Sequence, residues 1–198
     1  MLGSNGVREL SAPRRTHVAV LFADLTGFAE LVESVDPEMV YEVVRPIMDE
    51  FVGLVNAHEG DIQQVLGDGF MAVFGLRGHS GDEALRAVRA GLALVGAAAG
   101  QPPGRLPVHI GIECGEVLVS RSWEPAGFAV WGRAVTIASR LCDLAGPGTI
   151  HIGPHTFDLV GRDVAHAPPI RVRLKGTAGR TLVRRVIGHP ERTLALAG

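Results

Sequence analysis

Lysine is almost missing from this chain: Lys175 stands alone among 19 basic residues, and the rest are arginine. No other lysine can stand in at a site that needs one. Cysteine is as sparse. Cys114 and Cys142 are far apart and lack CxxC spacing, so a disulfide framework and a cysteine zinc site are both excluded; the two read as reduced, small core residues of a cytoplasmic chain. A basic stripe is absent too, and with a formal charge of -2 and a pI near 6.4 a nucleic-acid partner is not expected. No apolar run reaches the roughly 18 residues of a membrane span. The stretch Ala84 to Gly100 comes closest, but Arg86 and Arg89 interrupt it, and the first sixteen residues lack the apolar core of a signal peptide. No membrane association is expected.

What is present suits one globular domain. The 198 residues are 46% apolar and 20% charged, enough to bury a core. The reading is a tail over 1–16, a domain over 17–187, and a C-terminal tail or linker over 188–198 that leaves room for further domains beyond it.

Strand and helix signals alternate. His17 to Phe22 reads as a buried strand that Asp24 ends. Thr26 to Ser34 reads as a short helix, and Asp36-Pro37 then supplies an N-cap and a first-turn proline for a helix running to His58. Pro46 falls inside that pattern and is expected to kink or split it. Ile62 to Leu66 and Phe70 to Phe74 flank Gly67-Asp68-Gly69 as a hairpin. Asp82 to Ala99 predicts a helix, Val108 to Gly115 a strand, Val117 to Gly127 a loop or irregular hairpin, and Arg133 to Leu144 a helix. Thr149 to Ile152, Ile170 to Leu174 and Thr181 to Ile187 predict further strands. The order is that of an α+β fold with a mainly antiparallel sheet: a ferredoxin-like βαββαβ core with αβ and hairpin additions at the C-terminus.

Two aspartates stand where apolar strands stop at small residues, Asp24 in VAVLFADLTGF and Asp68 in IQQVLGDGFMAVFG. A carboxylate at a strand mouth, backed by a glycine turn, can hold Mg²⁺ on a nucleotide. Equally, Asp24 can cap the helix that follows, and Asp68 can serve the hairpin turn. His151 and His155 are four apart, but Gly153-Pro154 between them argues against a helical zinc face. Trp123 and Trp131 read as packing residues.

Taken in order, FADLTGF, GDGFMAVFG, VHIGIECGEV, VWGRAVTIASRL and LKG resemble the catalytic domain of class III nucleotidyl cyclases, the adenylyl and guanylyl cyclase family. The resemblance implies a head-to-tail homodimer acting on a nucleoside triphosphate, ATP by default, to give a 3′,5′-cyclic nucleotide and pyrophosphate. It makes Asp24 and Asp68 the ligands of two Mg²⁺ or Mn²⁺ ions and the backbone of Leu25, Thr26, Gly27 and Phe28 a cradle for the β and γ phosphates. Arg140 matches the arginine that stabilises the transition state, and Thr136 stands where relatives have a ribose-orienting asparagine.

Base recognition departs from the pattern. Gln64 occupies the adenine-reading lysine position and Ala129 the matching aspartate position, while Thr177 replaces a lysine after LKG and leaves Arg180, beyond it, as the nearest basic candidate for that role. Two readings stay open: a working cyclase with atypical base choice, or a degenerate domain serving as a nucleotide-binding or dimerising regulatory module.

Overall fold

A computed structural model describes residues 12–99, 106–121, 128–161 and 163–188. Strand β1 (Arg14–Leu25) leads into helices α1 (Phe28–Ser34) and α2 (Pro37–Ala57). The hairpin β2 (Gly60–Leu66) and β3 (Gly69–Phe74), helix α3 (Glu83–Ala99) and strand β4 (Val108–Arg121) follow. Then come β5 (Phe128–Trp131), α4 (Arg133–Leu144), β6 (Ile150–Ile152) and α5 (Pro154–Val160). Three strands end the described residues: β7 (Ala165–His166), β8 (Ile170–Val172) and β9 (Thr181–Gly188).

The sheet order is β2-β3-β1-β4-β6-β9-β7, with β5 added to β4 and β8 to β9. Its first four strands have the ferredoxin-like order expected, and among the described residues β4 and β6 form the one parallel pair. β1 is bonded along both edges, to β3 from Ala19 to Asp24 and to β4 along its whole length. Side chains of a strand alternate between faces. Ala19, Leu21, Ala23 and Leu25 therefore join the main core, with Ile47 and Phe51 of α2 and Val88 and Leu94 of α3. Val18 and Val20 point to the other face, where Met71, Val73, Val117 and Val119 meet Ala134 and Ala138 of α4. Asp24 shares the parity of Val18 and Val20, so it belongs to the α4 face.

That helix lies unusually close to the sheet. A Cβ on Gly111 would fall 2.2 Å from both the Ala138 carbonyl oxygen and the Cys142 nitrogen, so α4 rests backbone on backbone against β4. Both cysteines are free and buried, as expected. Among the described residues no helix is long and apolar enough to cross a membrane.

Three expectations need correction. Pro46 does not split α2, which continues through it to Ala57, because Pro46 and Glu42, whose carbonyl loses its partner, are both exposed and water can serve instead. β4 does not stop at Gly115: Val117 and Val119 alternate with exposed Glu116 and Leu118, and the strand continues to pair with Arg14 to Thr16. From Leu118 to Arg121 it also pairs with β5. Trp131 is not a packing residue, being 55% exposed on that short strand; Trp123 lies outside the described residues. His151 and His155 sit on different elements, β6 and α5, and His155 Nδ1 lies 2.9 Å from the buried Glu113 carboxylate.

His151 carries a pH dependence. Burial, followed by the charge of Arg185 across the strand pair, holds its imidazole below the usual value of 6.5. The unfolded chain accepts a proton there before the folded chain does, so the contribution is present above about pH 6.5 and is lost as pH falls through the folded value. His151→Phe should flatten the acid limb of a Tm profile between about pH 7 and 5, at ~2–4 °C for each kcal/mol of linkage removed. Parallel wild-type and variant profiles would contradict this.

Candidate functional site

The strand β1 delivers Asp24 to the α4 face at its penultimate residue, directly across from Gly69 on β3 and from His109 on β4. Asp68 arrives from the neighbouring hairpin. The two-residue turn of Gly67 and Asp68 needs a left-handed first residue, which Gly67 supplies at φ 62°. The turn is pinned to β1, because the Leu25 N–H donates to the Asp68 carbonyl oxygen at 3.2 Å. Gly69 leaves the space the first carboxylate occupies: a Cβ there would lie 2.7 Å from Asp24 Oδ1.

The two carboxylates feel each other. Burial, and next the negative charge of Asp24, raise the Asp68 pKa above its usual 3.8. Both line a cleft of about 240 Å³ with Phe22, Phe70 and, from α4, Ser139, Cys142 and Asp143. Cys142 adds no thiolate, since burial pushes its thiol up to about 12. Among the described residues no group of three or more His, Cys, Asp and Glu gathers around a metal position. A bare carboxylate pair with mutual repulsion, and room kept open by Gly69, fits hard divalent cations that share their remaining positions with phosphate oxygens and water.

The segment after Asp24 is anchored at its ends. Leu25 is buried in the main core and Phe28 packs against it, leaving Thr26 and Gly27 between them. Gly27, at φ 85°, makes the turn into α1. Not every backbone amide of this segment faces outward: that of Leu25 is given to Asp68, and that of Thr26 to the Pro107 carbonyl oxygen at 2.7 Å.

Other residues named from sequence lie apart from the cleft. Thr136 and Arg140 stand four apart on α4, and neither lines it. Arg140 Nη1 instead donates to Asp143 Oδ2 at 2.7 Å, while its buried Nε has no partner among the described residues. Gln64 is exposed on β2, opposite Met71, and Ala129 is half-buried on β5. The turn after Lys175 is closed by Thr177, whose N–H and hydroxyl both donate to the Leu174 carbonyl oxygen, and buried Leu174 seats it against Ile137 and Leu141 of α4.

Two polar residues were not legible as site residues in the sequence. A bulge between Ile62 and Gln64 sets Gln63 out of register, and its side-chain oxygen accepts the Phe128 N–H at 3.3 Å, tying the start of β5 to β2. His109 interrupts an apolar strand; its Nδ1 is 2.9 Å from Thr26 Oγ1 and its Nε2 3.6 Å from Asp24 Oδ2. A polar residue in VHIGI was the available signal. Its meaning depends on the register with β1.

Known proteins resemble the chain throughout this architecture. The family model described as the adenylate and guanylate cyclase catalytic domain matches residues 10–184. An uncharacterized protein of Rhizobium meliloti (strain 1021) is 31% identical over 185 residues, covering 88% of this chain and 18% of that protein. A Mycobacterium tuberculosis adenylate cyclase is 27% identical over 173 residues, covering 85% of this chain and 39% of the enzyme. The chain thus spans well under half the length of these curated relatives. The crystal structure of the guanylyl cyclase Cya2 superposes with a TM-score of 0.82 at 28% identity, covering 90% of this chain and 95% of that one. With most of its length matched by that one model, the chain belongs to the adenylate and guanylate cyclase catalytic domain family.

Proposed function

We propose that the chain converts a nucleoside triphosphate to a 3′,5′-cyclic nucleotide and pyrophosphate at sites shared between two copies paired head to tail. The observation that carries this reading is the convergence of Asp24 and Asp68 in one cleft, with Asp24 raising the Asp68 pKa. Two Mg²⁺ or Mn²⁺ ions held there would neutralise the triphosphate and lower the pKa of the attacking ribose hydroxyl. The anchored segment Leu25 to Phe28 would keep the β and γ phosphates beside the carboxylates.

The need for a second copy follows from what the cleft lacks. Its α4 wall is Ser139, Cys142 and Asp143, whereas Arg140 and Thr136 lie outside it. In the head-to-tail pair, Arg140 of one copy serves the α-phosphate held by the other, its planar fork stabilising the charge of the pentavalent transition state. The Nε–H without a partner and the exchangeable bond to Asp143 leave donors to give. Thr136 would orient the ribose with its hydroxyl.

Base choice falls to the positions of Gln64 and Ala129. A carboxamide offers one donor edge and one acceptor and, by rotating, can match adenine or guanine, whereas Ala129 adds no polar group. Relaxed selection between ATP and GTP is the consequence, since one lost base contact is worth about 1–3 kcal/mol. Incubation of the purified chain with Mn²⁺ and each of the four ribonucleoside triphosphates should give cyclic product from both purine nucleotides, within about tenfold of each other. Product from none of the four, at concentrations where the chain is dimeric, would sink the enzyme reading and leave a nucleotide-binding or dimerising module.

A further inference from the structure

We infer that His109 is a positioning residue that sets the orientation of the Asp24 carboxylate toward a divalent cation and locks the segment after it to the same point. The inference rests on the reading of the cleft as a cation site. The register of β1 and β4 puts His109 straight across from Asp24, on the same face of the sheet. Its ring is only 16% exposed, so protein groups rather than water surround most of it. One edge meets the Thr26 hydroxyl at 2.9 Å, and the other faces Asp24 Oδ2 at 3.6 Å.

Each end of this bridge is fixed independently. Thr26 is held by its backbone, which donates to the Pro107 carbonyl oxygen at 2.7 Å, so its hydroxyl has a defined position. When that hydroxyl donates to Nδ1, the ring proton resides on Nε2 and points at Asp24. The His109 carbonyl oxygen accepts the Cys142 thiol at 3.4 Å, which ties the same residue to α4. Asp24 has its other oxygen beside Gly69, whose missing Cβ leaves room on that side, with Asp68 as its neighbour in the cleft. The carboxylate thereby has the ring on one side and the cleft on the other. A group of this kind, standing directly behind a ligand, typically controls metal affinity by roughly 10- to 100-fold.

The test is a titration of the full chain with Mn²⁺ alone, free Mn²⁺ being read by its electron paramagnetic resonance signal. His109→Phe keeps the ring shape and removes both nitrogens; it should weaken binding about 10- to 100-fold. His109→Gln, which restores an N–H near the Nε2 position, should recover most of that loss. Thermal melting without metal establishes that each variant is folded. A folded His109→Phe that binds Mn²⁺ like wild type overturns the inference. If His109→Phe does not fold, Thr26→Val takes its place: affinity reduced about threefold or more supports the bridge, and unchanged affinity overturns it. Asp24→Asn separates this outcome from failure of the cation reading. Binding that is lost in Asp24→Asn upholds that reading, whereas wild-type protein that binds no Mn²⁺ overturns it and the role of His109 with it.

Discussion

Asp24→Ala is expected to lower turnover at least about 10³-fold, a loss of ~4 kcal/mol in transition-state stabilisation, within what a bound cation supplies. Asp68→Asn should do the same, and its second effect distinguishes a dismantled site from a damaged fold. The folded-state pKa of Asp68 lies above the usual 3.8, chiefly through burial and then through Asp24. A carboxyl raised in this way contributes stability that is complete below the usual pKa and is gone once pH has risen through the folded value. At neutral pH without metal, the ionised pair is a net cost to the fold. Asp68→Asn should therefore melt higher than wild type at pH 7, with the difference disappearing near pH 3, while being nearly inactive. About 1 kcal/mol would appear as ~2–4 °C. Melting below wild type in metal-free buffer at pH 7 would contradict the electrostatic account.

Gly111→Ala should be the most damaging of the glycine-to-alanine changes among the described residues. The added carbon would meet the Ala138 carbonyl oxygen and the Cys142 nitrogen at 2.2 Å, and the Leu141 carbonyl carbon at 2.7 Å. These are backbone atoms of a helix and cannot swing aside as a side chain would. Either α4 lifts from β4 or the strand shifts, at a cost of about 3 kcal/mol or more, which is a Tm lowered by ~6–12 °C. Because α4 carries Thr136 and Arg140 and walls the cleft, turnover should fall with stability. Gly96→Ala is the contrast: that glycine is exposed on α3 with nothing within 4 Å of the added carbon, and the change should stabilise by up to ~1 kcal/mol. Equal Tm values for the two variants would mean that the close approach of α4 is not what the site depends on.

Much of the fold was legible because its signals were local. The apolar run into Asp24, the glycine turn at Asp68 and the apolar face of Arg133 to Leu144 each follow from short-range spacing, and each element formed as expected. Pro46 misled because helix-breaking was weighed without knowing that Glu42 would face solvent. The far half of β4 was missed although Val117 and Val119 alternate, since its partner, Arg14 to Thr16, lay in a segment read as a tail. In the site, the residue types were readable and their relations were not. His109 opposite Asp24, and Gln63 bulged against Phe128, depend on registers set by strands far apart in sequence.

The double-edged bonding of β1 has a consequence for how such a chain can change over generations. Asp24 is fixed in a strand paired on both sides, so its position can be altered only by disturbing the centre of the sheet. The segment that bears Ala129 has four residues, bonded among the described strands to β4 alone and steadied by the Phe128 N–H, which donates to the side-chain oxygen of the bulged Gln63. Substitutions at this margin leave the carboxylate pair where it is. On the proposed reading, the position assigned to base choice could therefore be substituted without moving the carboxylates assigned to the cations.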